Sequence, residues 1–336
     1  MKIRRMVRGA FNFLFDSGYR FCYLADKKGK YHDMPDEEYL RRKFIAKLGY
    51  PLNLREPKTF NEKLQWLKLH DRNPIYTEMV DKYQAKKYYA FIGEQHIIPT
   101  LGIWERFDEI DFDRLPNQFV LKCTHDSGGV VLVRDKRTFD RSEAREKLER
   151  HLKREYYWIG REWPYKDVRP RILAEPLLQP ADGRELVEYK ILCSYGEPKL
   201  TMVCKGKAHS DMRTISVYDM DFNMIPVDTT YPRAKTPEPK PAQFEEMLRI
   251  SRQLSQDLPF LRADMYLCDG QVFLGELTLY HSSGFCRFDP PYYDTLFGEM
   301  IDIERARKEL GLTGRAYDPG NDFQAAKGGE DLSEPM

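Results

Sequence analysis

Residues Arg262 to Tyr280, RADMYLCDGQVFLGELTLY, hold two apolar runs on either side of Asp269-Gly270. Asp-Gly between such runs is a strong hairpin signal, because the two-residue turn needs positive φ at both positions. Strands are therefore expected over Arg262 to Cys268 and Gln271 to Tyr280. Side chains alternate along a strand, so Arg262 and Asp264 share one face and Glu276 and Thr278 share one on the partner. Antiparallel pairing about the turn brings these faces together. One guanidinium, two carboxylates and a hydroxyl then converge. Two carboxylates that close repel unless a hard cation bridges them, and oxygen ligands suit Mg²⁺. The plain alternative is a cross-strand salt bridge on a solvated face. Against it, Glu276 lies within Phe273-Leu274-Gly275-Glu276-Leu277-Thr278-Leu279, where a charge needs a partner.

The complementary charge lies upstream. Gln118 to Cys123 and Val130 to Arg134 read as strands around Thr124-His125-Asp126-Ser127-Gly128-Gly129, a hairpin with a long, mobile tip. Lys122 closes the first strand, where a lysine can reach over a phosphate while the turn's N–H groups close on it. Lys82 follows Asp81 near the expected start of a helical stretch. The patterns G-x-x-x-x-G-K-[ST] and G-x-G-x-x-G are both absent, which excludes a Walker site and a Rossmann dinucleotide site.

Outward from these segments the first hundred residues read as helical. Asp36 is the expected cap of a helix carrying Tyr39, Leu40, Phe44 and Leu48, and Thr59 with Glu62 forms a capping-box pattern before Leu64, Trp66 and Leu67. A third helix is expected from Ile75 to Phe91, and a charged one from Ser142 to Tyr157. Strands are expected over Arg171 to Glu175, Leu186 to Tyr195, Lys199 to Cys204 and Thr214 to Tyr218. Asn223 to Pro241 contains five prolines and reads as a surface loop. A helix over Gln243 to Leu258 points Phe244, Met247, Leu248 and Leu254 inward.

Composition sets the outer limits. Lys+Arg 54 against Asp+Glu 53 in 336 residues removes a global electrostatic case for nucleic acid. The six cysteines, without a CxxC or a Cys/His cluster, read as buried thiols in a reducing cytoplasm. Residues 1–30 are basic, and their apolar run, Ala10 to Phe15, is too short to span a bilayer. Two readings stay open there: a helix docking Phe11, Leu14 and Phe15 on the main domain, or a basic amphipathic segment on the anionic cytoplasmic leaflet. After Leu312 the chain turns polar and Gly-rich and reads as a disordered tail.

Asp81-Lys82, Ile98-Pro99-Thr100, Phe119-Val120-Leu121-Lys122 before a glycine turn, Ile172 to Leu178, Glu188, Arg262-x-Asp264 and Glu276-x-Thr278 together resemble the layout of ATP-grasp enzymes. Order and spacing are similar to those of D-alanine–D-alanine ligase. Thr59 to Trp66, Lys122 to Gly129 and Gly275 to Thr278 more narrowly resemble TupA-like ATP-grasp proteins of surface-polysaccharide clusters, over about Leu48 to Leu312. The resemblance implies an α+β fold of two subdomains gripping ATP, with a helical region in place of the usual N-terminal nucleotide-fold domain. Residues 1–75 would be that helical region, 76–180 the lysine-bearing subdomain, 181–312 the metal-site subdomain and 313–336 the tail.

The implied activity is an ATP-dependent carboxylate–amine ligation through an acyl phosphate. Its substrates would be a small carboxylate and an amine, with a lipid-linked polysaccharide as an acceptor. ATP and Mg²⁺ (with Mn²⁺ an alternative) would be the cofactors. Lys82 and Lys122 would hold phosphates under a lid of Asp126 to Gly129, with Ser127, Gly128 and Gly129 touching the nucleotide; Glu175 and Leu177 would face the adenine and Glu188 the ribose. Asp264, Glu276 and Thr278 would hold the metal, while Arg262 would stabilise the transferred phosphoryl group. Lys190, on the face of Glu188, is a further phosphate-side candidate, and Arg213, His209 and Lys207 are candidates for a substrate carboxylate. Most ATP-grasp enzymes have Asn where Thr278 sits. The rival reading is a metal-dependent glycosyltransferase, on the D-x-D match Asp219-Met220-Asp221.

Overall fold

The structure is a computed structural model and describes residues 12–206 and 212–312. Phe11, Lys207, His209 and the tail 313–336 lie outside the described residues. Helices come first: α1 (Ser17–Lys28), α2 (Asp36–Leu48) and α3 (Phe60–His70). Thr59 and Glu62 cap α3 reciprocally: the Thr59 hydroxyl accepts from the Glu62 N–H at 3.1 Å, and Glu62 accepts from the Thr59 N–H at 3.0 Å. Asp36 does not cap α2. Pro35 occupies that position, and the Asp36 carboxylate instead takes the Tyr157 hydroxyl at 2.7 Å and the Arg161 guanidinium at 3.2 Å.

The expected helix from Ile75 to Phe91 is broken into α4 (Ile75–Val80) and α5 (Ala85–Tyr88). Asp81 causes the break. Its carboxylate accepts from the Tyr83 N–H and pairs with Arg171, competing with the helical ladder. The chain thereby turns so that the Lys82 N–H reaches the Thr124 carbonyl.

Strands β1 (Gly102–Trp104), β2 (Phe119–Cys123), β3 (Val130–Val133) and β4 (Ile172–Pro176) form an antiparallel sheet in the order β1-β4-β2-β3. Helix α6 (Arg141–Leu152) covers it, burying Ala144 and Leu148 against Phe119 and Leu121. Asp140 caps α6, which starts at Arg141 and stops at Leu152, short of the expected Tyr157; a separate short helix α7 follows at Tyr157–Gly160.

The second sheet combines β5 (Val187–Ser194), β6 (Glu197–Lys205), β7 (Thr214–Tyr218), β8 (Met224–Ile225), and beyond helix α8 (Phe244–Ser255) the strands β9 (Leu261–Cys268) and β10 (Gln271–Thr278). Its order is β10-β9-β5-β6-β7-β8. Helix α8 buries Phe244, Met247, Ile250 and Leu254 on this sheet, a stripe at helical spacing. The N-terminal helices share the same core: the Phe60 and Phe260 rings meet at 5.5 Å. Helices α9 (Tyr292–Gly298) and α10 (Ile303–Glu309) close the described chain.

At the other end of the described chain, Leu14 and Phe15 are 65% and 74% exposed. All six cysteines are free and buried. Among the described residues no helix is long and apolar enough to cross a membrane.

Candidate functional site

The Asp269-Gly270 turn has φ of 50° and 79°, and Cys268 pairs with Gln271. Counted regularly from this turn, Asp264 would oppose Gly275 and Glu276 would fall on the other face. The ladder instead shifts by one residue between Leu274 and Glu276, so that Glu276 opposes Asp264 and Thr278 opposes Arg262. This bulge at Gly275 is what assembles the quartet. A side chain there would meet the Tyr266 ring: a Cβ on Gly275 falls 2.5 Å from Tyr266 Cε2.

Within the quartet the charges are unequally engaged. Arg262 makes a two-pronged contact with Asp264, Nε to Oδ1 at 2.6 Å and Nη2 to Oδ2 at 2.7 Å, and Nη2 also donates to Thr278 Oγ1 at 3.0 Å. Its Nη1 faces His281 Nδ1 at 2.8 Å. Burial, then the positive charges of Arg262 and Lys190, hold the His281 ring well below its usual pKa, so it is neutral and its Nδ1 accepts. Lys190 pairs with Asp264 and, at 2.9 Å, with Glu188. Burial works to raise the Asp264 carboxyl, but Arg262 and Lys190 outweigh it and keep its pKa lowered. Glu276 has no basic ion-pair partner among the described residues, only the Thr278 hydroxyl at 3.4 Å.

Glu276 opens onto a cleft of about 520 Å³ between the two sheets. Val120, Leu132, Ile98, Leu177 and Tyr266 line an apolar part, and Lys82, Lys122 and Glu276 line a charged part. An apolar slot joined to paired lysines and a carboxylate fits a flat base joined to phosphates. Two other cavities, of about 440 and 490 Å³, contain none of the candidate residues.

The oxygen donors fit a hard divalent cation. Mg²⁺ needs only one or two carboxylates when substrate phosphates complete its shell. Among the described residues no group of three or more His, Cys, Asp or Glu could hold a metal alone, so phosphate oxygens would have to contribute.

Glu175 is buried and lies between two ammonium groups, Lys122 at 2.6 Å and Lys86 at 2.6 Å. Lys86 was not among the sequence candidates; in Lys86-Lys87-Tyr88-Tyr89 it reads as a solvated helix lysine. Of the quartet only Glu276 lines the cleft; Glu188 and Lys190 do not line it either. They join the quartet from behind, with Arg213 at 3.5 Å from Glu188.

The glycine turn is not a loose tip. Lys82 Nζ donates to the Asp126 carbonyl at 2.7 Å, Arg154 donates to the Ser127 carbonyl at 3.1 Å, and His151 pairs with the Asp126 carboxylate. His151 reaches the turn from the last turn of α6, and Arg154 from just beyond it. Gly128 has φ 97°, which a side chain would strain. His125 is a buried loop residue bonded to the Arg154 carbonyl, and burial lowers its pKa. Ser127, Gly128 and Gly129 do not line the cleft in this conformation.

Behind the quartet, Tyr280 to Cys286 is gripped by α3. Asn61 bonds Cys286 through both its amide atoms, Gln65 donates to the Ser283 and Gly284 carbonyls, and Lys68 donates to the Gly160 carbonyl, the Ser283 carbonyl and the Ser283 hydroxyl. Ser282 and Ser283 both take left-handed φ, 50° and 54°, a strained pair that this grip holds next to Arg262 and His281. The Asp219 carboxylate, by contrast, is spent on a turn: it accepts from the Asn223 N–H at 2.8 Å and from its side-chain amide at 3.1 Å. That turn joins β7 and β8, at the sheet edge remote from β10.

This sheet-and-cleft arrangement is that of an ATP-grasp enzyme. The model of the TupA-like ATP-grasp family matches residues 62–302, and the chain belongs to that family. Similar solved structures include D-alanine–D-alanine ligase from Helicobacter pylori, 14% identical over 78% of this chain and 68% of that one, with a TM-score of 0.38. The D-alanine–D-alanine ligase from Bacillus anthracis complexed with ATP is 18% identical over 69% and 68%, TM-score 0.38. N5-carboxyaminoimidazole synthetase from Staphylococcus aureus is 13% identical over 67% and 53%, TM-score 0.34. No curated protein matches the chain.

Proposed function

We propose that the enzyme joins a carboxylate to an amine at the expense of ATP, with a uronic-acid-containing surface polysaccharide or its precursor supplying one partner. The observation that carries this reading is that Glu276, held in register with Arg262, Asp264 and Thr278, lines a cleft that also holds Lys82 and Lys122. A carboxylate oxygen attacks the γ-phosphorus and ADP leaves. The amine nitrogen then attacks the acyl carbon, phosphate leaves and the nitrogen gives up a proton. Lys82 and Lys122 balance phosphate charge, and Arg262, fixed by Asp264 and His281, faces the charge that develops on transfer. Mg²⁺ held by Glu276, Asp264 and Thr278 would supply further electrostatic stabilisation of the phosphates. Arg213 is the described candidate for a substrate carboxylate. The polysaccharide assignment rests on the likeness of the Thr59–Trp66 and Lys122–Gly129 stretches to proteins of such clusters.

The reading is tested by carboxylate-dependent release of ADP, with hydroxylamine added to trap the acyl phosphate as a hydroxamate. Hydroxamate formation is expected with the true carboxylate; ADP release that ignores every uronic acid and amino acid offered would contradict it.

We also propose that the N-terminal segment rests on an anionic leaflet, where a lipid-linked acceptor would lie. Leu14, Phe15, Tyr19 and Tyr23 are exposed, and Lys27, Lys28 and Lys30 lie exposed close by. Each basic residue near such a surface contributes about 1 kcal/mol, screened by salt. The double substitution Leu14→Ser with Phe15→Ser is expected to reduce co-sedimentation with phosphatidylserine vesicles and to leave the melting temperature unchanged. Equal sedimentation of both proteins would refute leaflet binding through this face.

A further inference from the structure

We infer that Lys86 is a positioning residue for the nucleotide, leaving Lys122 free to move from Glu175 to a phosphate. The inference rests on the cleft being the ATP site.

The two lysines that flank Glu175 are not equivalent. Lys86 Nζ has three oxygens around it: Glu175 Oε1 at 2.6 Å, the Ile98 carbonyl at 2.7 Å and Thr100 Oγ1 at 3.1 Å. An ammonium has three N–H donors, so Lys86 is fully engaged and fixed. Lys122 Nζ has one such partner among the described residues, Glu175 Oε2 at 2.6 Å, and its side chain lines the cleft. The cluster therefore carries two positive charges against one negative, and the surplus sits on the lysine that can swing.

Without Lys86 the balance would be one to one. Moving Lys122 to a phosphate would then strand the Glu175 carboxylate, 4% exposed, without a counter-ion, and an unpaired buried charge is costly. Lys86 also fixes where Glu175 points. It ties strand β4 to the Ile98–Thr100 segment, so both walls of the apolar slot bear on one ammonium. Burial works to raise the Glu175 carboxyl, and Lys122 with Lys86 outweighs it, which keeps the group ionised between them.

The test is calorimetric titration of the full chain with Mg-ATP and with adenosine. Lys86→Met is expected to weaken ATP binding by about tenfold or more relative to adenosine, since only ATP requires Lys122 to leave an uncompensated carboxylate. Adding Glu175→Gln removes that carboxylate and is expected to restore most of the ATP-to-adenosine ratio. Lys86→Arg, which keeps the charge, is expected to hold it. Should Lys86→Met not fold, Lys86→Gln serves in its place. A ratio within threefold of wild type in the neutral variant, or an additive loss in the double variant, would overturn the inference. Failure of the wild-type protein to bind ATP at all would instead overturn the ligase reading beneath it.

Discussion

Replacing Glu276 by alanine is expected to lower carboxylate-dependent ADP release by about 10²–10³-fold, the usual loss when one group that stabilises transition-state charge is removed. The unfolding midpoint should stay close to wild type. Asp264 already has Arg262 and Lys190, whereas among the described residues Glu276 has only a hydroxyl at 3.4 Å and the open cleft, so its loss strands no described base. The same fact makes it the carboxylate most available to a cation. Turnover within tenfold of wild type, with magnesium dependence unaltered, would show that Glu276 holds no catalytic cation.

Lys68→Met is expected to destabilise the fold by about 1–3 kcal/mol, the range for leaving buried hydrogen-bonding groups unsatisfied. Lys68 is fully buried in the last turn of α3, and four oxygens surround it: Gln65 Oε1, the Gly160 carbonyl, and the Ser283 carbonyl and hydroxyl. Burial pulls its pKa down and the charge of buried Glu162 opposes that. Methionine fills the space but leaves these oxygens and Glu162 without the ammonium. The strained Ser282-Ser283 turn should relax, and with it the His281 contact that orients Arg262, so turnover should fall as well. Urea denaturation with a parallel assay checks both. A loss under about 1 kcal/mol would mean that the turn holds itself and that α3 does not brace the site.

The likeness between sequence and structure was uneven, for reasons that differ by residue. Asp269-Gly270 and the Thr59–Glu62 box were legible because their chemistry is local: a positive-φ turn and a reciprocal cap need only neighbouring residues. The facing of Glu276 and Asp264 was anticipated, yet regular pairing from the turn does not deliver it. Gly275 does, and an isolated glycine in a strand is the available signal for such a bulge. The break at Asp81 hid because Arg171, its partner, is ninety positions away. Lys86, Lys68 and Gln65 were illegible for the same reason. A lysine on a helix reads as solvated until the fold shows what surrounds it. The D-x-D match has a local account: a short acidic turn in which Asp219 satisfies the backbone.

The central claim, that the cleft between the sheets takes ATP, is tested most directly by calorimetry with Mg-ATP and with UDP-sugars. The wild-type chain and the double variant Asp219→Ala with Asp221→Ala are compared. An ATP-grasp site predicts ATP binding in both proteins with closely similar affinity, because Asp219 lies in the β7–β8 turn and not among the cleft residues. Tight UDP-sugar binding by the wild type that vanishes in the variant, without ATP binding in either, would contradict it.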